Sequence, residues 1–167
     1  MVEKTTRQEE LLAQIYEQKP FRLALAESCT GGLVAHRITN IEGSSRYFWG
    51  GVVSYSEEAK IKILGVSSLV VEQYGIVSEE VALAMAKGIR KLAGADVALG
   101  LTGFAGPGGG DKRAGVGTVC FAVNFKENTV TLRKVFKGER EEIKALAAEE
   151  ALLLLIKFLK ENLKINL

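Results

Sequence analysis

Hydrophobic residues recur along the chain with two spacings, and each spacing predicts one kind of element. Recurrence every three or four residues predicts helices, and Ser56 and Ser78, each followed by two Glu residues, are expected at the starts of two of them. We expect six of them, at about 6–18, 31–41, from 57 onward through Lys60, 67–73, 79–92 and 139–162. Short apolar runs bounded by glycine and polar residues predict strands at about 21–26, 50–55, 96–102, 117–125 and 129–136.

The order of these elements indicates an α/β fold. Helices alternate with apolar strands over most of the chain, and only Lys126-Glu127-Asn128 separates the last two strands, which predicts a hairpin. A mixed sheet covered by helices accommodates both patterns. No repeat or low-complexity linker interrupts the sequence, so we predict one domain over residues 1–167.

Composition excludes several classes of protein. Of the 167 residues, 47% are hydrophobic and 25% are charged, which is typical of a soluble globular domain. A net charge of +2 with interspersed charges argues against a nucleic-acid partner, and no apolar run is long enough to span a membrane. The N-terminus lacks an apolar secretory segment, and Cys29 and Cys120 are too few for a disulfide scaffold. We therefore expect a cytoplasmic location and no nucleic-acid or membrane partner.

The segment Ala26-Glu27-Ser28-Cys29-Thr30-Gly31-Gly32 concentrates the candidate chemistry. It joins a predicted strand to a predicted helix, so it presents hydroxyl groups and unpaired backbone amides at one point. Ser28, Tyr55 and Thr102 each end or follow a predicted strand. Because ligands of α/β sheets bind at the carboxyl ends of strands, we expect these three residues to line one crevice.

Ser28 is the leading candidate nucleophile, although a hydroxyl here could equally cap the helix or bind a phosphate. Thr30 fits the capping role better. Cys29 is the rival nucleophile, but a small thiol on such a turn more often packs into the core. His36 is the only histidine and is predicted to lie on the surface of the following helix, which argues against a Ser-His-Asp triad.

The remaining candidate bases are lysine, tyrosine and carboxylate side chains. Tyr55 lies at a strand end and Lys60 lies in the first turns of the next helix, so both can face the crevice. Lys60 can act as a base only if burial or a nearby cation lowers its pKa. Taken separately, a solvated lysine and a half-buried strand tyrosine are the simpler interpretations.

A second glycine-rich segment, residues 103–110, follows the third strand. Its amides could surround a phosphate or a carbonyl oxygen, and a flexible surface loop is the alternative. The segment matches neither the GxxxxGKS/T phosphate-binding loop nor the GxGxxG dinucleotide motif. One histidine and two separated cysteines do not make a zinc site, so we expect no metal. Arg140, at the start of the last helix, could reach a phosphate or be an ordinary surface arginine.

Together these motifs resemble the CinA C-terminal domain family. The resemblance rests on the 26–32 turn and on further stretches that cover nearly the whole chain: Gly43-Ser44-Ser45, Tyr55-Ser56 with Lys60, Gly75-Ile76-Val77-Ser78, Thr102-Gly103-Phe104-Ala105-Gly106-Pro107-Gly108-Gly109, Gly115-Val116-Gly117-Thr118-Val119 and Gly138-Glu139-Arg140. The family's fold implies a three-layer α/β/α sandwich with a mixed, mainly parallel sheet of about five strands. Glu57, Thr102 and Phe104 depart from the commoner family residues, which bears on substrate preference more than on the reaction.

Stand-alone members of the family hydrolyse the carboxamide of nicotinamide mononucleotide (NMN) to nicotinate mononucleotide and ammonia. The resemblance implies this reaction here, without a metal or cofactor, and with Ser28, Tyr55 and Lys60 as catalytic residues. It implies a substrate site formed by Thr30, Gly31, Gly32, Ser44, Thr102, Gly103, Ala105, Gly106 and Arg140. In the implied acyl transfer Ser28 attacks the amide carbon, and amides of Gly31-Gly32 or of the 103–110 loop stabilise the oxyanion.

Partners and alternative functions complete these expectations. NMN is the expected small-molecule partner. A homodimer or higher homo-oligomer is expected from the resemblance and from the apolar run at 152–156, which exceeds one helix stripe. A non-catalytic nucleotide-binding or competence-related interaction module is the alternative function. Another amidase or a phosphohydrolase also fits, because the 26–32 turn would equally serve a phosphate.

Overall fold

Five strands form one mixed sheet in the computed structural model, which describes residues 7–167. The strands are β1 Leu23–Glu27, β2 Phe48–Val53, β3 Val97–Gly103, β4 Thr118–Phe125 and β5 Asn128–Val135. They lie in the order β2-β1-β3-β4-β5. β1 pairs in parallel with β2 and with β3, whereas β4 is antiparallel to both β3 and β5. Four strands therefore run in one direction and β4 runs in the other.

Within the described residues, α-helices cover both faces of the sheet: α1 Gln8–Gln18, α2 Leu33–Thr39, α3 Glu57–Leu64, α4 Ser68–Tyr74, α5 Glu79–Ala93 and α6 Arg140–Leu163. Side chains of α1, α2 and α6 pack with Leu25 and Leu99 on one face. Side chains of α3, α4 and α5 pack with Ala24 and Ala98 on the other face. The expected three-layer α/β/α sandwich with a mixed sheet is therefore confirmed.

Small residues on the second face bring α5 close to the sheet. Ala24 and Ala26 alternate along β1 with larger residues that belong to the other core. On β3, a Cβ added to Gly100 would lie 2.4 Å from the backbone oxygen of Ala82 in α5, so the glycine is needed for this approach. Because α5 also contacts α3, this packing fixes the helix that carries Lys60.

The predicted elements are found within a few residues of their expected bounds. Ser56 and Ser78 accept hydrogen bonds from first-turn amides and cap α3 and α5, as expected. Thr6, where the first helix was expected to begin, lies outside the described residues. β2 begins at Phe48, two residues earlier than expected, and the 3-10 helix Ser44–Arg46 before it was not predicted.

The apolar run of α6 is explained by the core of the chain itself. Leu152, Leu155 and Ile156 are buried in the core, Leu154 is half-buried, and Leu153 alone within the run is exposed, to 40%. This run therefore gives no reason for self-association, and the expected homo-oligomer rests on the resemblance alone. Although α6 is the longest helix, none within residues 7–167 is long and apolar enough to cross a membrane.

Candidate active site

The parallel strands β1, β2 and β3 end at one edge of the sheet, where a pocket of about 240 Å³ opens. Ser28 follows β1 directly, Tyr55 lies two residues beyond β2, and Thr102 is the second-last residue of β3. The three residues expected at strand ends therefore meet in one pocket. Its lining consists of Ser28, Cys29, Tyr55, Lys60, Ile76, Val77, Thr102, Gly103, Phe104, Ala105, Gly106, Gly108 and Arg140.

Lys60 forms a buried hydrogen-bonded pair with Ser28. Its Nζ atom lies 2.8 Å from Ser28 Oγ and 2.7 Å from the backbone oxygen of Ser54. Lys60 is 1% exposed and Ser28 is 5% exposed, so both groups are withdrawn from bulk water. Burial lowers the pKa of Lys60 from 10.5 to about 8. A lysine with this pKa has a neutral fraction of about a tenth at pH 7, which is enough for it to serve as a base.

The start of α3 directs Lys60 towards Ser28. The Ser56 hydroxyl accepts a hydrogen bond of 3.1 Å from the Ala59 amide, so the helix begins immediately after β2. Residue 60 consequently falls in the first turns of the helix. Helical side chains lean towards the N-terminus of their helix, and this lean points the Lys60 amine back to the strand ends.

Glu27 fixes the turn that carries Ser28, a role that was not predicted. Its carboxylate is 2% exposed and accepts four hydrogen bonds, from the Thr30 hydroxyl at 2.5 Å and from the amides of Gly32, Val34 and Ala35 at 3.1, 3.1 and 2.8 Å. These amides lie at the N-terminus of α2, where negative charge is favourable. Glu27 therefore caps α2. The capping role expected for Thr30 is wrong, because its hydroxyl donates to the carboxylate.

These hydrogen bonds decide which amides can face a substrate. The Gly31 amide donates to the Ser28 carbonyl at 3.0 Å, and the Gly32 amide donates to Glu27. Of the two expected sources of oxyanion-stabilising amides, Gly31-Gly32 and the 103–110 loop, the first is therefore not free to donate in this conformation. The amides of Cys29 and Ala105 have no acceptor within the described part of the chain, and both residues line the pocket.

Arg140, the first residue of α6, joins two walls of the pocket. Its guanidinium donates to the Tyr55 hydroxyl at 2.6 Å and to the Gly106 carbonyl at 2.6 Å. Both terminal nitrogens of the Arg140 guanidinium therefore already donate hydrogen bonds within the protein. Tyr55 is 59% exposed, so its phenol lies at the entrance of the pocket, whereas the Ser28–Lys60 pair is buried.

Cys29 is packed rather than poised to react. Its side chain is 5% exposed, and burial raises the pKa of its thiol to about 12. A Cβ added to Gly103 would lie 3.0 Å from the Cys29 sulfur, so the glycine permits close packing there. Thiolate is the nucleophilic form of cysteine, and it is suppressed at this position. Ser28 is therefore the stronger candidate of the two.

Four residues expected to bind substrate do not line the pocket: Thr30, Gly31, Gly32 and Ser44. The first three form the turn after Ser28, whose polar groups are largely satisfied internally. Ser44 lies shortly before β2, at the level of the start of β1. At this level the Tyr47 carbonyl accepts a hydrogen bond from the Leu23 amide. A five-residue strand is about 16 Å long, and it separates this level from Ser28.

Sequence reasoning missed three contributors to the site region. Glu27 had a signal, since an acidic residue shortly before a helix often interacts with its first amides. Lys144 lies four residues after Arg140 and therefore on the same face of α6. Ser54 contributes a backbone oxygen, which no sequence pattern reveals.

The structure offers little for a metal ion. No group of three or more histidine, cysteine or carboxylate side chains within residues 7–167 has the arrangement to hold one. His36 is exposed on α2, as predicted, and its ring lies 3.4 Å from the Asn40 amide nitrogen.

Known proteins resemble the chain over most of its length. The family model of the CinA C-terminal domain matches residues 5–159. A competence-damage inducible protein from Moorella thermoacetica is 49% identical over 152 residues, and a CinA-like protein from Syntrophomonas wolfei is 50% identical over 141 residues. These matches cover 91% and 84% of the chain but 37% and 34% of the relatives. The chain thus spans about a third of the length of these curated relatives.

Solved structures share the architecture. A CinA superfamily protein from Enterobacter cloacae has a TM-score of 0.89 at 36% identity, with 95% of this chain and 96% of that chain covered. A CinA superfamily protein from Escherichia coli has a TM-score of 0.87 at 38% identity, with 95% and 94% covered. Chains of similar length therefore adopt the same three-layer fold.

Proposed function

The chain belongs to the CinA C-terminal domain family, and on that premise we propose that it is a nicotinamide-nucleotide amidohydrolase. The proposed reaction hydrolyses the carboxamide of NMN to nicotinate mononucleotide and ammonia. The observation that carries the proposal is the buried hydrogen bond between Ser28 and Lys60 at the strand ends. Such a pair supplies a nucleophile and a base without a histidine.

In the first step the neutral amine of Lys60 takes the proton of the Ser28 hydroxyl. The neutral amine can still donate to the Ser54 carbonyl while its lone pair accepts from Ser28, so the observed contacts suit this proton transfer. Ser28 Oγ then bonds to the carboxamide carbon, and the carbonyl oxygen becomes an oxyanion. The free amides of Cys29 and Ala105 are the candidate donors that stabilise it.

In the second step the carbon–nitrogen bond breaks and the acyl group stays on Ser28. The nitrogen must be protonated as it leaves, because an amide ion is too poor a leaving group. Lys60 holds the proton that it took from Ser28 and can deliver it, and Tyr55, held by Arg140, is the second candidate donor.

Hydrolysis of the ester completes the cycle. Lys60, neutral again after ammonia has left, takes a proton from a water molecule, and the water oxygen attacks the ester carbon. The carbon–oxygen bond to Ser28 breaks, Ser28 recovers its proton from Lys60, and nicotinate mononucleotide leaves. The pair therefore returns to its starting state without a cofactor.

Incubation of the purified protein with NMN tests the proposal. Ammonia measured by a coupled assay and nicotinate mononucleotide measured by chromatography should form in equal amounts. Release of phosphate without ammonia would favour a phosphohydrolase instead. Binding of NMN without any product would favour the non-catalytic nucleotide-binding module.

A further inference from the structure

The pocket at the strand ends is too small for a whole nucleotide. Its volume of about 240 Å³ lies below the ~300–1,000 Å³ typical of sites that enclose a drug-sized ligand. If the carboxamide of NMN lies against Ser28, the ribose and phosphate must extend to the rim. The charged groups at the rim then decide how the phosphate is held.

Lys144 brings an ammonium group to the turn that follows Ser28, next to the residues that line the pocket but not among them. It lies on α6 one turn after Arg140, and its Nζ atom is 3.7 Å from the position that a Cβ on Gly31 would occupy. The Gly31 amide donates to the Ser28 carbonyl, which makes residues 28–31 a β-turn. Since the first and fourth Cα atoms of a β-turn are less than about 7 Å apart, the ammonium lies within roughly 12 Å of the Ser28 Cα.

Two observations separate Lys144 from the other cations near the site. Arg140 is occupied by Tyr55 and Gly106, whereas no hydrogen bond or ion pair among the described residues involves the Lys144 amine. Lys144 is only half-buried, so its amine can accept an incoming ligand at little cost. An unpaired ammonium beside an exposed glycine turn suits a phosphate.

Charge around the turn favours the same assignment. Burial dominates the raised pKa of the Cys29 thiol, the positive charges of Lys60 and Lys144 oppose that rise, and the negative charge of Glu27 adds to it. The carboxylate of Glu27 accepts four hydrogen bonds, from the Thr30 hydroxyl and from three amides at the start of α2. The Glu27 carboxylate is therefore engaged inside the protein, whereas the half-buried Lys144 amine has no hydrogen-bond or ion-pair partner among the described residues.

We infer that Lys144 binds the phosphate of the substrate and is the residue that makes the enzyme prefer a nucleotide over the corresponding nucleoside. This inference rests on the proposed function, since it takes the carboxamide to lie at Ser28. It assigns the phosphate to the rim beside Gly31 rather than to the 103–110 loop. Lys144 touches the substrate far from the reacting carbon, so it should act on binding and not on chemistry.

Kinetics with matched substrates test this assignment. Lys144→Met should lower kcat/KM for NMN by about 10- to 100-fold through KM, because one charge-assisted contact is lost. The same variant should leave kcat/KM for nicotinamide riboside, which has no phosphate, nearly unchanged. Lys144→Arg should retain most activity. Lys157→Met, an exposed lysine 13 residues further along α6, is the matched control and should behave as the wild type.

The outcomes separate this inference from the proposed function. An equal loss for both substrates, or no loss for NMN, would overturn the phosphate role while leaving the amidohydrolase intact. If the wild type releases no ammonia from either substrate, the proposed function fails, and calorimetry with ribose 5-phosphate then decides on Lys144. A tenfold weaker binding in Lys144→Met would uphold the phosphate site, whereas equal binding, or no binding to either protein, would refute it.

Discussion

At the scale of single residues, burial lowers the pKa of Lys60 enough for its amine to act as a base in the proposed reaction. A solvated lysine is protonated at neutral pH, but Lys60 is 1% exposed and its pKa is lowered to about 8. Its ammonium form is destabilised because burial removes hydration, and no ion pair among the described residues replaces that hydration. The same burial that weakens the charged form therefore makes a base available to Ser28.

Activity is expected to rise with pH as Lys60 loses its proton. Below a pH of about 8, kcat/KM for NMN should increase about tenfold per pH unit, and above it the rate should level off. Lys60→Arg keeps the positive charge but cannot give up a proton, so it should lose as much activity as Lys60→Ala. Steady-state kinetics across the neutral and mildly alkaline range measure both effects. Substantial activity in Lys60→Arg would mean that Lys60 only attracts the substrate.

Tyr55 is expected to affect turnover more than affinity. Tyr55→Phe removes the hydroxyl that accepts from Arg140, and with it the second candidate proton donor. A fall in kcat at unchanged KM should follow if the hydroxyl delivers a proton to ammonia. Lower affinity at unchanged kcat would instead make Tyr55 a wall of the pocket entrance.

At the scale of elements, the junction of β1 and α2 positions Ser28, the proposed nucleophile. Glu27 ends the strand, and its carboxylate binds the first amides of the helix, so the intervening turn has one shape. Ser28 is the first residue of that turn. The orientation of its hydroxyl towards Lys60 therefore depends on a carboxylate that does not touch it.

Glu27→Gln is expected to lower both stability and turnover. The amide replaces one accepting oxygen by a donor, and buried N–H groups left without a partner cost about 1–3 kcal/mol. We expect a lower Tm and a lower kcat for NMN, measured by calorimetry and steady-state kinetics. Glu149→Gln, which removes a carboxylate paired with Arg37 of α2 at 2.7 Å, is the control and should keep its kcat. Wild-type kcat in Glu27→Gln would show that the turn does not need the carboxylate.

The helices and strands were predictable from sequence because short-range patterns, such as a serine followed by acidic residues, agree with the fold. Ser56 and Ser78 precede acidic first turns, and both are the expected caps. The role of Glu27 was not predictable in the same way, because its capping bonds span five to eight residues across glycines with positive φ. The start of β2 was misplaced because the glycines at 50 and 51 were taken as its boundary, whereas they lie inside the strand.

At the scale of the whole molecule, the packing of helices on the sheet and on each other holds Ser28 and Lys60, the proposed catalytic pair, together. Ser28 follows β1, which lies between β2 and β3, while Lys60 is carried by α3, which packs on α5. A Cβ added to Gly88 of α5 would lie 2.0 Å from the backbone oxygen of Leu64 at the end of α3. The position of Lys60 therefore depends on a close contact between the backbones of α3 and α5, which leaves no room for a side chain at residue 88.

Gly88→Ala is expected to displace α3 and to reduce both stability and activity. Overpacking of this kind costs about 1–3 kcal/mol, which corresponds to a Tm lower by about 2–12 °C for a domain of this size. Gly115→Ala is the matched control, because a Cβ at that position would meet nothing within 4 Å. Differential scanning calorimetry and the ammonia assay measure the two effects. An unchanged Tm in Gly88→Ala would contradict the packing account.

The crevice at the strand ends was predictable, but its full composition was not. Parallel strands bring their carboxyl ends to one edge, which is why Ser28, Tyr55 and Thr102 could be grouped from sequence. Ser44 was expected in this site only through the family resemblance. The register of β1 with β2 places it near the start of β1, at the other end of the strands from Ser28. Strand order and register depend on contacts between distant residues, and no local pattern of one sequence encodes them.

Ammonia release from NMN by Ser28→Ala, set beside Cys29→Ala, tests the central claim most directly. We expect Ser28→Ala to lose activity by about 10³-fold or more, because the acyl group has no acceptor, while its fold and its affinity for NMN are kept. Cys29→Ala should retain most activity, because the Cys29 thiol is buried and its pKa is about 12. Near-normal turnover in Ser28→Ala, together with its loss in Cys29→Ala, would show that Ser28 is not the nucleophile.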